Sequence, residues 1–459
     1  MNFLGRISER KMMHKLLGCT GVQVLLIYGR RRVGKSELIK QVLRESKTKG
    51  IYYECKQTTE MNNVASLSNL ISEFYDYPKL SFDNFEAVLD FLFQKATDDP
   101  LIFVLDEYPY LRSVITGLDS IFQSLIDKYR ENSSLKLILC GSFIDVMKSL
   151  ILSENPLYGR LDRTIDLKPM DYYESSLFYP SYSNEDKIRL YSVFGGIPYY
   201  NRLIDSNLSV RENIIALIAS SNARLENEVS MYLRSEISKI SNANEVFDVL
   251  SRGYSRYSDI LSQSHVTSAP AMVDVLEKLM RMELVRKEAP INDEKNKKKT
   301  GYYISDNLSL FYYRYCFRYA SQLSIMDSEV FYDKYIRDDF ENWYIPHCFE
   351  AICRQYLIRQ NRRGMLPEVF EKIGKYYYND PKTKTNGEFD VVTFDSKGYT
   401  FYEVKFRKTP VTERLIRDEI KQVNETGLYC YQYGFISRSG FDVKPQSNLL
   451  LISLDDFYT

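Results

Sequence analysis

Val22-Gln23-Val24-Leu25-Leu26-Ile27-Tyr28-Gly29-Arg30-Arg31-Arg32-Val33-Gly34-Lys35-Ser36 is the stretch from which the chain is best read. Residues 24–28 form an apolar run of strand length, and Glu37-Leu38-Ile39-Lys40-Gln41-Val42-Leu43 continues with helical periodicity. Between them stands G-x-x-x-x-G-K-S, a loop whose glycines let backbone N–H groups converge on phosphate oxygens at a helix N-terminus. Gly29, Arg30, Arg31, Arg32, Val33, Gly34, Lys35, Ser36 and Glu37 are therefore the expected nucleotide cradle. Lys35 supplies a point charge for the β- and γ-phosphates, and Ser36 offers a hydroxyl to Mg²⁺. The arginine side chains read as loop packing and solvated charge rather than as a further phosphate clamp.

Downstream, short apolar strands alternate with helical stretches through about residue 170, the pattern of a parallel sheet flanked by helices. Leu101-Ile102-Phe103-Val104-Leu105 runs into Asp106-Glu107, so a buried strand delivers two acids at its C-terminal end. Asp106 is expected on the Mg²⁺ side, and Glu107 as the base that orients and deprotonates the attacking water. A further strand, residues 135–139, ends at Cys140-Gly141-Ser142. Ser142 there either senses the γ-phosphate or caps a helix.

Composition narrows the classes. The 459 residues suggest about three or four domains. Hydrophobic residues make up 44 % and charged residues 27 %, the mixture of a folded, soluble protein. Lys+Arg and Asp+Glu both number 61, so any contact with nucleic acid must come from local patches. The seven cysteines contain no C-x-x-C pair, which argues for a reducing compartment and against structural zinc. With no long apolar run and no signal-like N-terminus, the expectation is a cytoplasmic chain without a membrane partner.

Phe3-Leu4-Gly5-Arg6-x-x-Glu9, the P-loop, the Asp106-Glu107 strand and Cys140-Gly141-Ser142 together resemble the archaeal-type AAA+/STAND-related ATPases. Pro156-Leu157-Tyr158-Gly159-Arg160, Ile165-Asp166-Leu167-Lys168-Pro169-Met170 and Gly195-Gly196-Ile197-Pro198 follow in the same order. The resemblance implies ATP as the nucleotide, a choice over GTP that the loop spacing does not make. It also implies that Gly5-Arg6 lies near the adenine and that residues 195–198 belong to a helical lid. Arg160 or Arg163 becomes the candidate arginine finger, and a finger acting in trans requires self-association.

The C-terminal half suggests two further modules. Residues 236–310 read as three helices and a hairpin, the order of a winged helix. Its candidate DNA contacts are Thr267, Ser268 and the lysines of Asn292-Asp293-Glu294-Lys295-Asn296-Lys297-Lys298-Lys299. A protein-contact module with a solvated lysine run is the other reading. Beyond it, Glu388-Phe389-Asp390-Val391-Val392 and Tyr402-Glu403-Val404-Lys405 flank a turn at residues 395–398 and read as a β-hairpin. Glu403 and Lys405 share a strand face, with Asp390 on the partner strand. This spacing resembles the PD-(D/E)xK nucleases, with Asp390, Glu403 and Lys405 in the motif and Glu350 as the upstream helix acid. The resemblance implies Mg²⁺ or Mn²⁺ between Asp390 and Glu403 and cleavage of DNA or RNA; Glu388 is a weaker candidate.

The expected architecture is thus a multidomain α/β chain. It comprises a P-loop NTPase core with a parallel sheet (1–170), a helical lid (171–235), a winged helix (236–310) and a restriction-endonuclease-like α/β domain (311–459). Its expected work is ATP hydrolysis gating a nuclease; the alternative is a STAND-like switch that binds DNA or protein without cutting.

Overall fold

The computed structural model describes residues 3–236, 240–266, 268–380, 385–425, 430–444, 446 and 448–459. The chain divides into two compact units. The first holds Met1–Pro169 with Ile197–Tyr199, and the second holds Met170–Gly196 with Tyr200–Thr459.

The first unit is built on five strands: β1 (Gln23–Tyr28), β2 (Gly50–Glu54), β3 (Leu101–Asp106), β4 (Leu135–Gly141) and β5 (Arg163–Asp166). They pair in parallel in the order β2-β3-β4-β1-β5. Every residue of β3 and β4 is buried, as a sheet covered on both faces by helices requires. Helices Lys35–Glu45, Glu60–Tyr75, Phe85–Asp98 and Leu118–Tyr129 supply apolar faces such as Leu38, Val64, Leu92 and Phe122. The order places β4 between β1 and β3, which brings the loops after all three strands to one edge. Sequence periodicity does not reveal β5, because Arg163 and Thr164 are exposed and the strand is four residues long.

Two groupings make up the second unit's later part. Helices Ile240–Ser251, Tyr257–Gln263 and Ala269–Arg281 precede a hairpin of β6 (Val285–Glu288) and β7 (Gly301–Ile304), which pair antiparallel. Met272, Val275, Leu276 and Leu279 form the buried stripe of the third helix, and Ser268 caps its start. Thr267 lies outside the described residues. The last sheet comprises β8 (Lys372–Asp380), β9 (Thr385–Asp395), β10 (Gly398–Lys405), β12 (Cys430–Ser437) and β14 (Leu449–Ser453). Its order is β14-β12-β10-β9-β8, antiparallel from β8 to β10 and parallel from β10 through β14. Two short strands, β11 (Val411–Thr412) and β13 (Phe441–Asp442), pair beside it. The helix Ile345–Arg363 buries Phe349, Ile352, Cys353, Tyr356 and Leu357, with Tyr356 stacked on Phe457 at 4.3 Å between centroids.

The loop between β6 and β7 does not project freely. Ile291 N–H donates to the Lys375 carbonyl at 2.8 Å, and Asn292 exchanges hydrogen bonds with the Tyr377 backbone at 3.1 and 2.7 Å. Lys299 lies 3.8 Å from the Tyr377 ring centroid, which withdraws it from the expected phosphate-contacting set. Lys295, Lys297 and Lys298 remain exposed.

Candidate functional site

The loop after β1 takes the curl its glycines allow. Gly29 has φ +153°, and a Cβ there would stand 2.3 Å from the Leu167 carbonyl oxygen. Gly34 (φ +97°) and Arg32 (φ +67°) also lie in the left-handed region, which turns successive backbone N–H groups inward. Lys35 opens the following helix and is 5 % exposed. Its ammonium donates to Gly29 O at 2.9 Å, Arg30 O at 3.1 Å and Ser142 Oγ at 2.9 Å.

Sheet order explains the rest of the network. Ser142 follows β4, Glu107 follows β3, and Ser142 Oγ donates to Glu107 Oε1 at 2.8 Å. The Ser142 backbone N–H adds a 3.3 Å bond to Glu107 Oε2. Glu107 itself has φ +53° at the start of the Tyr108–Val114 helix, a strained backbone of the kind found at functional turns. Lys35, Ser142 and Glu107 thus form one hydrogen-bonded chain across β1, β4 and β3.

Beside it, Ser36 Oγ donates to Asp106 Oδ2 at 2.6 Å, and Tyr52 on β2 donates to the same oxygen. Burial alone would raise the Asp106 carboxyl, yet donors from Cys140, Ser36 and Tyr52 hold it below its ordinary value. Ser36 and Asp106 are two hard oxygen donors in direct contact, which fits Mg²⁺. Sequence reading missed Tyr52. The pairing of β2 with β3 puts it there, and no local pattern marks it.

Other expected residues fall in three places. Arg6 is buried and bridges Val33 O at 3.2 Å and Lys168 O at 2.7 Å, bracing the loop from the side of β5; Gly5 precedes it in the left-handed region. Arg30 is buried, Arg31 and Glu37 are exposed, and Arg32 stacks on Tyr199 at 4.3 Å. Pro198, next to Tyr199, lies over Gly34. Arg160 makes a two-bond ion pair with Asp127, at 2.9 and 2.7 Å, and Arg163 starts β5 opposite Leu25. Arg163 therefore begins its strand three residues before the P-loop edge, and the Arg160 guanidinium is fully engaged elsewhere.

Residues 3–204 match the family described as an ATPase domain predominantly from Archaea. They form an archaeal-type P-loop ATPase domain. Residues 312–423 of the second unit match a family described as archaeal and bacterial proteins of unknown function. Over 464 residues the chain is 28 % identical to the uncharacterized protein MJECL04 of Methanocaldococcus jannaschii, covering 99 % of this chain and all of that one. A Walker-type ATPase of Pyrococcus abyssi superposes with a TM-score of 0.50 at 21 % identity, over 68 % of this chain and 96 % of its own. The Aeropyrum pernix ORC2 protein, in its ADPNP–ADP complexes, gives 0.47 at 14 % over 68 % and 94 %. No helix among the described residues is long and apolar enough to cross a membrane.

In the ATPase domain the P-loop, Asp106 and Glu107 share one edge. The second cluster lies in the C-terminal sheet. The register that pairs Tyr402 with Val391 leads on to Asp390 and Glu403, the next residues on the two strands. Burial and the nearby Asp390 charge push Glu350, on the Ile345–Arg363 helix, up to about 8. Burial also raises Glu403, against the pull of Lys405, which pairs with it directly and lies 3.5 Å from Glu419. Asp390 Oδ1 accepts from Lys375 Nζ at 2.7 Å, and Glu388 from the same ammonium at 3.0 Å. Among the described residues no three His, Cys, Asp or Glu side chains converge as a metal cage. The donor oxygens are of the right type, yet their arrangement, with Asp390 and Glu403 each already paired to a lysine, does not fit the metal expected there. Sequence reading missed Lys375, since the aromatic stretch around it carries no charge pattern.

Proposed function

We propose that the chain is a nucleotide-driven switch that binds and hydrolyses ATP in its first unit and so controls what its C-terminal sheet does. The Lys35–Ser142–Glu107 chain is the observation that carries this reading. Lys35 directs all three ammonium hydrogens at Gly29, Arg30 and Ser142, so a γ-phosphate engages it by replacing at least one of them. Replacement at Ser142 takes Lys35 off the Ser142 oxygen and leaves the Ser142 O–H bond to the Glu107 carboxylate in place. Glu107 then accepts the proton of the attacking water as its oxygen bonds the γ-phosphorus, while the bond from that phosphorus to the β,γ-bridging oxygen breaks and ADP leaves with the electron pair. Mg²⁺, which Ser36 and Asp106 would hold, supplies neutralisation of charge on the phosphate oxygens.

Steady-state hydrolysis and nucleotide binding test the assignment in three variants. Lys35→Ala loses both, whereas Glu107→Gln retains ATP binding while hydrolysis falls about 10²–10³-fold. Ser142→Ala keeps binding and slows turnover, because Glu107 loses its anchor. Full hydrolysis by Glu107→Gln would remove Glu107 from the mechanism.

A second reading makes the C-terminal sheet a nuclease-like effector on DNA or RNA. What favours it is that Glu350 and Glu403 each lie within electrostatic reach of Asp390, with Lys405 paired to Glu403. Nuclease assays on single- and double-stranded DNA and RNA, with and without ATP and Mn²⁺, separate this from a binding switch. Asp390→Asn and Glu403→Gln should abolish cleavage and leave ATP binding intact.

A further inference from the structure

Asp390 stands where the nuclease-like reading expects a metal ligand, yet its Oδ1 already accepts from Lys375 Nζ at 2.7 Å. The same ammonium reaches Glu388 Oε1 at 3.0 Å and lies 5.4 Å from the Tyr303 ring centroid. Its side chain is 14 % exposed, far from the solvated state usual for lysine.

Local backbone geometry sets Lys375 opposite Asp390. β8 pairs Gly374 with Val392 and Tyr376 with Phe389, so one residue, Lys375, stands against two, Asp390 and Val391. Such a bulge bends β9, the strand with the extra residue, and re-aims side chains at Asp390 and Val391; bulges are over-represented beside functional sites. The loop between β6 and β7 then pins the outer edge of β8. Ile291 N–H bonds the Lys375 carbonyl, and Asn292 brackets the Tyr377 backbone. Lys372 pairs with Glu294 at 2.6 Å. Gly374 permits this approach, because a Cβ there would meet Ile291 Cγ2 at 2.6 Å.

An ammonium and a divalent cation need the same carboxylate oxygens, and a charge-assisted bond in a half-buried site is not given up freely. We propose that Lys375 is an internal counter-cation of this site, holding Asp390 and Glu388 in competition with a divalent metal ion, and that the docked 291–299 segment keeps it in place. The inference rests on the nuclease-like reading and adds a means of regulation to it. Loosening that segment from β8 frees Lys375 to turn toward a phosphate and opens Asp390 to the metal.

Mn²⁺ binding to the full-length chain without nucleotide, followed by the electron paramagnetic resonance of free Mn²⁺, tests this independently of cleavage. Lys375→Met should tighten binding about tenfold or more. Lys375→Arg, which keeps the charge, should bind no tighter than the parent chain. Asn292→Ala, which releases two bonds to β8 and alters no charge, should give an intermediate gain. Adding Asp390→Asn should abolish each gain. If Lys375→Met does not melt cooperatively, Asn292→Ala carries the test. Equal Asp390-dependent binding in the parent and in Lys375→Met overturns the counter-cation role while the metal reading stands. No Asp390-dependent Mn²⁺ binding in any variant overturns both.

Discussion

At the scale of single residues, Asp106 shows how several weak donors fix the state of a buried acid. Desolvation favours its neutral form, and bonds from Cys140, Ser36 and Tyr52 reverse that preference. Ser36 and Tyr52 share Oδ2, so any cation bound there competes with both hydroxyls. Tyr52→Phe removes one competitor. The half-saturating Mg²⁺ concentration for ATP hydrolysis should fall by a factor of a few, at a cost of about 1 kcal/mol in stability. Magnesium titrations and urea unfolding read the two effects separately. Glycine 29 is constrained differently. Alanine there meets the Leu167 carbonyl, and the loop must move. Gly29→Ala should lose nucleotide binding and about 2 kcal/mol or more of stability, as equilibrium binding and thermal melting would report.

At the scale of elements, the β6–β7 hairpin is tied down by charge as well as by backbone bonds. Glu288 on β6 bonds Arg286 at 2.5 Å and Arg354 at 3.2 Å. Burial would raise its carboxyl, but Arg354 and Arg286 bring it down to about 2 from an ordinary 4.5. The folded value lies below the unfolded one. The stability it contributes is therefore full above about pH 4.5 and is lost as pH falls toward 2. Arg354→Met should flatten the acid limb of stability in that window by on the order of 2 kcal/mol, measured by urea unfolding at stepped pH. β1, β3, β4, β9 and β10 were legible as apolar or alternating runs bounded by turn residues. β5 and β8 were not. β5 is short and half exposed, and β8 has aromatic residues on both faces.

At the scale of the whole molecule, two units with separate cores predict two unfolding events. Mg²⁺-ATP at about 100 times its dissociation constant adds about 2.7 kcal/mol to the unit that binds it. Scanning calorimetry should show one transition rising by about 5–10 °C while the other stays. Asp390→Asn should leave that rise intact, and Lys35→Ala should abolish it. Coupling between the units is read by comparing Mn²⁺ affinity with and without a non-hydrolysable ATP analogue. The switch reading requires the two affinities to differ, since a ligand shifts only states it binds unequally.

By itself the sequence determined the P-loop, the strand that ends in Asp106-Glu107, and the acids and lysine of the C-terminal hairpin. Those features are local: a loop needs its glycines in place, and a strand shows its period within a few residues. Tertiary structure alone decided that Ser142 joins Lys35 to Glu107, because β4 lies between β1 and β3. It also brought Tyr52 to Asp106, engaged Arg160 with Asp127, and set Lys375 across Asp390 under the β6–β7 loop. Each of these depends on which strands are neighbours and where a bulge falls. The pairing energies that settle both are summed over partners far apart in the chain, and no window of sequence contains them.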